Sequence, residues 1–219
     1  MAGAETFVHE MEIKNQASFE RLLAAYTQTL HKEDFAPADL VRMEMKTTVE
    51  ATEVSALWIT ETDSLDVKIA LAAACGDGAR NFALLRERLS ALGVDPLGFD
   101  VRFGGYSKLF AFFRSLQTTE ERASAGPVTL RAFNLRRLDL AAQHAEIKGD
   151  AETATLLRET LLRDEENQRD IGRRTLLDTA INEESQARAR RAAFRTIELL
   201  GEVYEPALLR KFLTRSLKR

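Results

Sequence analysis

Apolar residues recur along this chain at helical spacing, and the segments carrying that spacing are separated by short polar or glycine-containing breaks. Phe19, Leu22, Leu23, Tyr26 and Leu30 fall on one face behind Ser18 and predict a helix over about 18–33. After a loop containing Pro37, Asp39 is positioned to cap a helix running to about Thr60, with Val41, Met45, Val49 and Leu57 inward. Asp63-Ser64 starts the next, through Ile69, Phe82, Leu85 and Leu89, which stops at Leu92-Gly93 before Pro96. The irregular stretch 93–105 leads into a short aromatic helix from Tyr106 to Leu116.

The second half repeats the design. Gly126-Pro127 predicts a helix start with proline in its first turn, ending at Lys148-Gly149. Asp150 caps another helix through Leu157, Leu161 and Ile171 to about Ile181. Two further helices, Ser185–Leu200 and Pro206–Leu217, are predicted on either side of Gly201. No segment alternates with period two between turn signals, so the fold class is all-α. The expectation is one domain over 1–219, with a core bundle over about 39–181, an N-terminal helix over about 18–33 and C-terminal helices over about 185–217.

With 219 residues, 45% hydrophobic and 30% charged, the chain can bury a substantial core and resembles ordinary globular composition. The single Cys75 rules out an internal disulfide framework, and the first residues lack the pattern of a secretory signal. No run of about 18 apolar residues is present. Together these predict a cytoplasmic protein without a membrane span. Net charge is -3, but residues 186–219 hold nine basic and three acidic side chains, so that end carries +6 and the remainder -9. Because no aromatics interleave with those basic residues, a solvated face is expected in preference to a nucleic-acid surface.

Two segments bear on chemistry: Asp77-Gly78-Ala79-Arg80-Asn81-Phe82 and Asp164-Glu165-Glu166-Asn167-Gln168. Residues three apart on a helix share a face, so Gly78 pairs with Asn81 and Glu165 with Gln168. With their surroundings, Leu71–Gly93 and Gly149–Gly172, these segments resemble the second and fourth core helices of the ferritin-like diiron-carboxylate superfamily. The closest likeness is to the branch with Asp-Glu-Ala-Arg-His-Phe, which includes tRNA-hydroxylase-like and other bacterial ferritin-like proteins. The resemblance covers roughly Leu40 to Leu177 and implies a four-helix bundle with one long crossover, extended by N- and C-terminal helices.

In that family each segment would supply Glu-x-x-His to two irons. Here the resemblance puts Gly78 and Asn81 at one pair of ligand positions, Glu165 and Gln168 at the other. The first-helix ligand falls on Glu50, with Glu44 and Glu53 as competitors. Glu50 precedes Gly78 by 28 residues, and the same offset before Glu165 lands on Arg137, with Asn134 one turn earlier an equal match. At most two of the family's six ligands therefore remain. Without imidazoles, dioxygen activation at a diiron centre is not expected, and neither is a resident cofactor; iron or manganese held by unusual ligands is the alternative.

Arg137 could replace the metal charge by bridging Glu50 and Glu165 through its forked guanidinium, while Asn81 and Gln168 add amide hydrogen bonds. These five are the candidate catalytic residues. Gly78, Asn134, His144, Phe82 and Tyr106 are candidate ligand-binding residues. Gly78 is expected to leave empty volume beside the polar groups, and His144, two turns beyond Arg137, could serve as a base or metal ligand. His9 and His31 are the other histidines. Phe99, Phe103, Tyr106, Phe110, Phe112 and Phe113 could line an apolar entrance, or else cover the bundle or form a homodimer face.

Three functions fit: metal-independent, non-redox small-molecule chemistry or binding in the former metal cavity; a non-catalytic accessory subunit partnering an active homologue; or a non-haem iron oxygenase with altered ligands. A void beside Gly78 favours the first, and a closed Arg–Glu network without a void favours the second. The leading expectation is an enzyme or binder whose partner is a small molecule, placed in biosynthesis.

Overall fold

The computed structural model describes residues 2–32, 35–98, 100–102 and 105–204. All regular structure among them is helical, as the apolar periodicity requires. Helix α1 spans Ala2–Lys32, α2 Pro37–Thr60, α3 Leu65–Ala91 and the short α4 Lys108–Ser115, with one 3-10 turn at Pro96–Gly98. Helix α5 is continuous from Thr119–Ala123 through a π-helical stretch, Ser124–Leu130, into Arg131–Ile147. Helix α6 repeats that build, with Ala151–Leu156, a π stretch at Leu157–Leu162, and Arg163–Thr179. Helix α7 is Glu183–Val203. None of these helices is long and apolar enough to cross a membrane.

Several boundaries differ from the sequence expectations for local reasons. The first helix begins at Ala2 instead of near Ser18, because Phe7, Val8 and Met11 extend its buried stripe. The cap of α2 is Ala36 with Pro37 at the first position; Asp39 sits three residues on and accepts the Ala36 N–H at 3.1 Å. Helix α5 starts at a reciprocal capping box, Thr118 with Glu121. Pro127 consequently lies inside that helix, within the π stretch, where the wider turn accommodates a residue lacking an N–H. Gly201 lies within α7 and does not break it. Ser64 and Asp150 cap α3 and α6 as expected. Pro206–Leu217 and the basic residues from Arg210 onward lie outside the described residues, as do Phe99 and Phe103.

Helices α2 and α3 lie along one another, as do α5 and α6, while α3 reaches across to α6. Helices α1 and α7 pack over the α5–α6 pair, and α4 bridges α2 and α7. The main apolar core runs through Leu40, Leu85, Leu89, Phe133, Leu138 and Leu157. A smaller cluster joins Phe7, Val8 and Met11 to Val128 and Leu176. Where α2 and α3 touch, a Cβ on Gly78 would meet the Thr52 hydroxyl at 2.0 Å. The expected void at Gly78 is thus occupied by Thr52, and the glycine serves close helix approach. Gly172 does the same for Pro127, whose Cβ would lie 1.9 Å from an added methyl.

Candidate functional site

Position 44 is on the face of α2 that turns toward α5, one and a half turns before Glu50, and its carboxylate meets the Arg137 guanidinium in a two-pronged pair. Nη1 donates to Oε1 at 2.5 Å and Nη2 to Oε2 at 2.9 Å. Their side chains are 1% and 3% exposed. The Arg137 carbon lies 5.3 Å from the Tyr204 ring centre and 6.0 Å from that of Tyr26, so two aromatic faces flank the cation. Burial works against the Arg137 charge, yet the adjacent Glu44 carboxylate outweighs it and holds the guanidinium well above its ordinary range. Burial likewise pushes Tyr26 up to about 12 and raises Tyr204.

The arginine therefore fills the predicted charge-balancing role with a different glutamate. Arg137 pairs with Glu44, the competitor to Glu50, and bridges neither Glu50 nor Glu165 in an ion pair. Glu50 accepts from the Ser107 N–H at 2.9 Å and its hydroxyl at 2.5 Å, and pairs with Lys46 at 3.1 Å. Since Ser107 also caps α4 through the Phe110 N–H, Glu50 anchors the start of that helix. Glu165 pairs with Arg131 and accepts from Asn134 Nδ2 at 3.2 Å. Arg137 Nε donates to Asn134 Oδ1 at 3.3 Å, so a polar chain links Glu44, Arg137, Asn134, Glu165 and Arg131.

Across from it, Asn81 and Gln168 occupy facing turns of α3 and α6. Asn81 Nδ2 donates to Asp164 at 2.9 Å, and Gln168 Nε2 to Asp77 at 3.4 Å. Arg80 spans both acids, reaching Asp77 at 3.0 Å and Asp164 at 2.7 Å. Asp77 and Asp164 each precede an amide by four residues on the same face, a spacing that sequence reasoning could have used. Arg131 precedes Asn134 by three and is legible on the same basis. Ser107, by contrast, reaches the site through the chain path between α3 and α4, which no spacing reveals.

Between these two polar walls lies a partly enclosed cavity of about 100 Å³. Glu50, Gly78, Asn81, Asn134, Glu165 and Gln168 line it, together with Glu44, Asp77, Arg131 and Asp164. Its remaining wall is apolar, formed by Leu109, Phe110 and Phe113 of α4 and by Leu130, Leu138 and Leu161. Both π stretches end at this cavity, Leu130 closing one and Leu161 lying in the other. Widened turns of this kind often mark functional positions. Gln168 also faces a smaller apolar cavity of about 50 Å³ beside Trp58 and Ile171.

Three expected residues stand elsewhere. His144 is buried near the α1–α2 connection, with Nε2 2.9 Å from the Phe35 carbonyl and its ring against His31, so it is a packing residue remote from Glu165. Tyr106 is half exposed and stacks on Phe110; its hydrogen bond to Glu53 raises its phenol. Phe82 packs against the apolar core and does not line the cavity. Of the aromatic segment, Phe110 and Phe113 reach the cavity, while Phe112 packs beside them against the core.

The ligand positions implied by the resemblance do not suit a metal pair. Glycine and amides hold four of them or compete for them, and the two glutamates are taken by Ser107, Lys46, Arg131 and Asn134. Among the described residues no three His, Cys, Asp or Glu side chains converge to hold an ion. No protein-family model matches this chain, no curated protein sequence matches it, and no solved structure matches its fold.

Proposed function

We propose that this chain is a ferritin-like helical scaffold whose metal centre has been replaced by charged side-chain pairs, leaving a pocket that takes a small organic molecule. The observation that carries this reading is the cavity itself. It lies where the two antiparallel pairs, α2–α3 and α5–α6, face each other, and the residues at the former ligand positions border it. A scaffold kept only for structure has no use for unfilled space beside so many polar groups, since empty volume forfeits packing contacts. Polar groups converging on an apolar wall suit recognition of a ligand with one polar end.

The chemistry within reach is non-redox. Glu165, Glu50 and the amides of Asn81 and Gln168 could orient a substrate or move a proton, while Arg137, already paired with Glu44, holds the wall in place. The test couples two measurements on protein produced with iron and manganese supplied. Elemental analysis is expected to give far less than stoichiometric metal. A metabolite screen by ligand-observed NMR is expected to give binders that Ala74→Phe, which fills the cavity from α3, displaces while the helical circular dichroism is retained. Stoichiometric metal would return the site to iron chemistry; binders insensitive to Ala74→Phe would place the ligand elsewhere.

A further inference from the structure

The walls of the cavity carry a charge imbalance together with an unused hydrogen-bond acceptor. Five carboxylates border it: Glu44, Glu50, Asp77, Asp164 and Glu165. Glu44 is matched by Arg137, Glu50 by Lys46 and Glu165 by Arg131. Asp77 and Asp164 share a single guanidinium, that of Arg80. Among the described residues one negative charge is thus left over, and it belongs to the Asp77–Asp164 pair at the α3–α6 wall.

Asn81 is at the same place. It is only 7% exposed, and its Oδ1 is buried with no hydrogen-bond partner among the described residues. The orientation of this amide is fixed by chemistry: Nδ2 faces the Asp164 carboxylate, which can only accept, so the carbonyl must face away from it. A buried acceptor left without a donor is costly, and native proteins satisfy such groups with water or a ligand. Opposite stand Phe110, Phe113 and Leu161, which offer nothing to a second polar group.

We infer that the ligand of this cavity is a primary amine, bound as its ammonium between Asn81 Oδ1 and the Asp77–Asp164 pair with its carbon chain against the α4 wall. An ammonium has three donors and no acceptor, which suits a carbonyl and two carboxylate oxygens. It also supplies the single positive charge the wall lacks. A neutral alcohol would satisfy Asn81 but leave the charge, and a carboxylate ligand would worsen it. This assignment rests on reading the cavity as a small-molecule site.

The experiment titrates the full chain at neutral pH by calorimetry with n-butylammonium, n-butanol, butyrate and Mn2+ alone. The ammonium is expected to bind more tightly than the other three. Asp164→Asn, which removes the surplus charge without changing shape, is expected to weaken ammonium binding roughly tenfold or more. Arg80→Gln, at a half-exposed position that folding tolerates, is expected to strengthen it. Opposite signs in the two variants cannot come from loss of folding. Butanol or butyrate binding as tightly as the ammonium would overturn the amine while sparing the pocket. Mn2+ displacing the ammonium would overturn it in favour of a metal. Ammonium binding unchanged in Asp164→Asn would overturn the placement, and no binding by any probe would overturn both the amine and the pocket.

Discussion

Glu44 and Arg137 form a fully buried, two-pronged ion pair that ties α2 to α5, with the rings of Tyr26 and Tyr204 beside it. Removing one partner strands a charge in a medium that cannot solvate it. Glu44→Gln is expected to lower stability by about 3–5 kcal/mol in urea unfolding. The double change Glu44→Leu with Arg137→Met is expected to recover most of that loss. A double variant as unstable as the single one would show that the pair holds more than its own charges.

Burial raises the Tyr26 phenol from 10.0 to about 12, which makes stability depend on alkaline pH. The folded state favours the neutral phenol, so this contribution is complete below the unfolded value and is lost as pH rises toward the folded one. Urea midpoints are expected to stay level up to about pH 10 and fall above it, with about 2–3 kcal/mol at stake for Tyr26. Tyr26→Phe should flatten part of that limb; Tyr204, raised for the same reason, keeps the rest.

Two glycines separate close approach from mere helix membership. At Gly172 an added methyl would overlap Pro127, including its backbone at 3.2 Å, whereas at Gly76 it meets nothing within 4 Å. Gly172→Ala is expected to cost about 1–3 kcal/mol through overpacking. Gly76→Ala, exposed in the middle of α3, is expected to gain about 0.5–1 kcal/mol. Thermal melts of the two variants should therefore move in opposite directions.

Glu50 fastens the first turn of α4 through Ser107. Glu50→Ala is expected to cost about 1–2 kcal/mol and to speed amide exchange selectively in 108–113, where the cavity's apolar wall begins. Uniformly faster exchange across all helices would assign Glu50 to the global core instead.

The helices were legible because each presents an apolar stripe, and the caps at Ser64 and Asp150 were legible because short oxygen-bearing side chains announce themselves. Pro127 misled because proline ordinarily opens a helix; the stronger signal was Thr118 with Glu121, whose reciprocal hydrogen bonds start α5 earlier. At the site, residue spacing identified Arg137 as a buried cation and grouped Asn81, Gln168 and Glu165 around one space. It could not choose between Glu44 and Glu50, since that choice depends on the roll of α2 against α5. Nor could it find the Ser107 contact, which a long irregular connection delivers.

The two π stretches carry a consequence for how such a pocket could arise or vanish. A π turn holds one residue more than the α turn it replaces, so deleting a single residue from 124–130 or 157–162 would restore plain α geometry. Everything downstream would then rotate by about 100° about the helix axis. Asn134 and Arg137 would turn away from α2 in one case, and Asp164, Glu165 and Gln168 from α3 in the other. One lost codon in either stretch would dismantle this wall in a single step while keeping the helix intact, a change far more abrupt than substituting its side chains one by one.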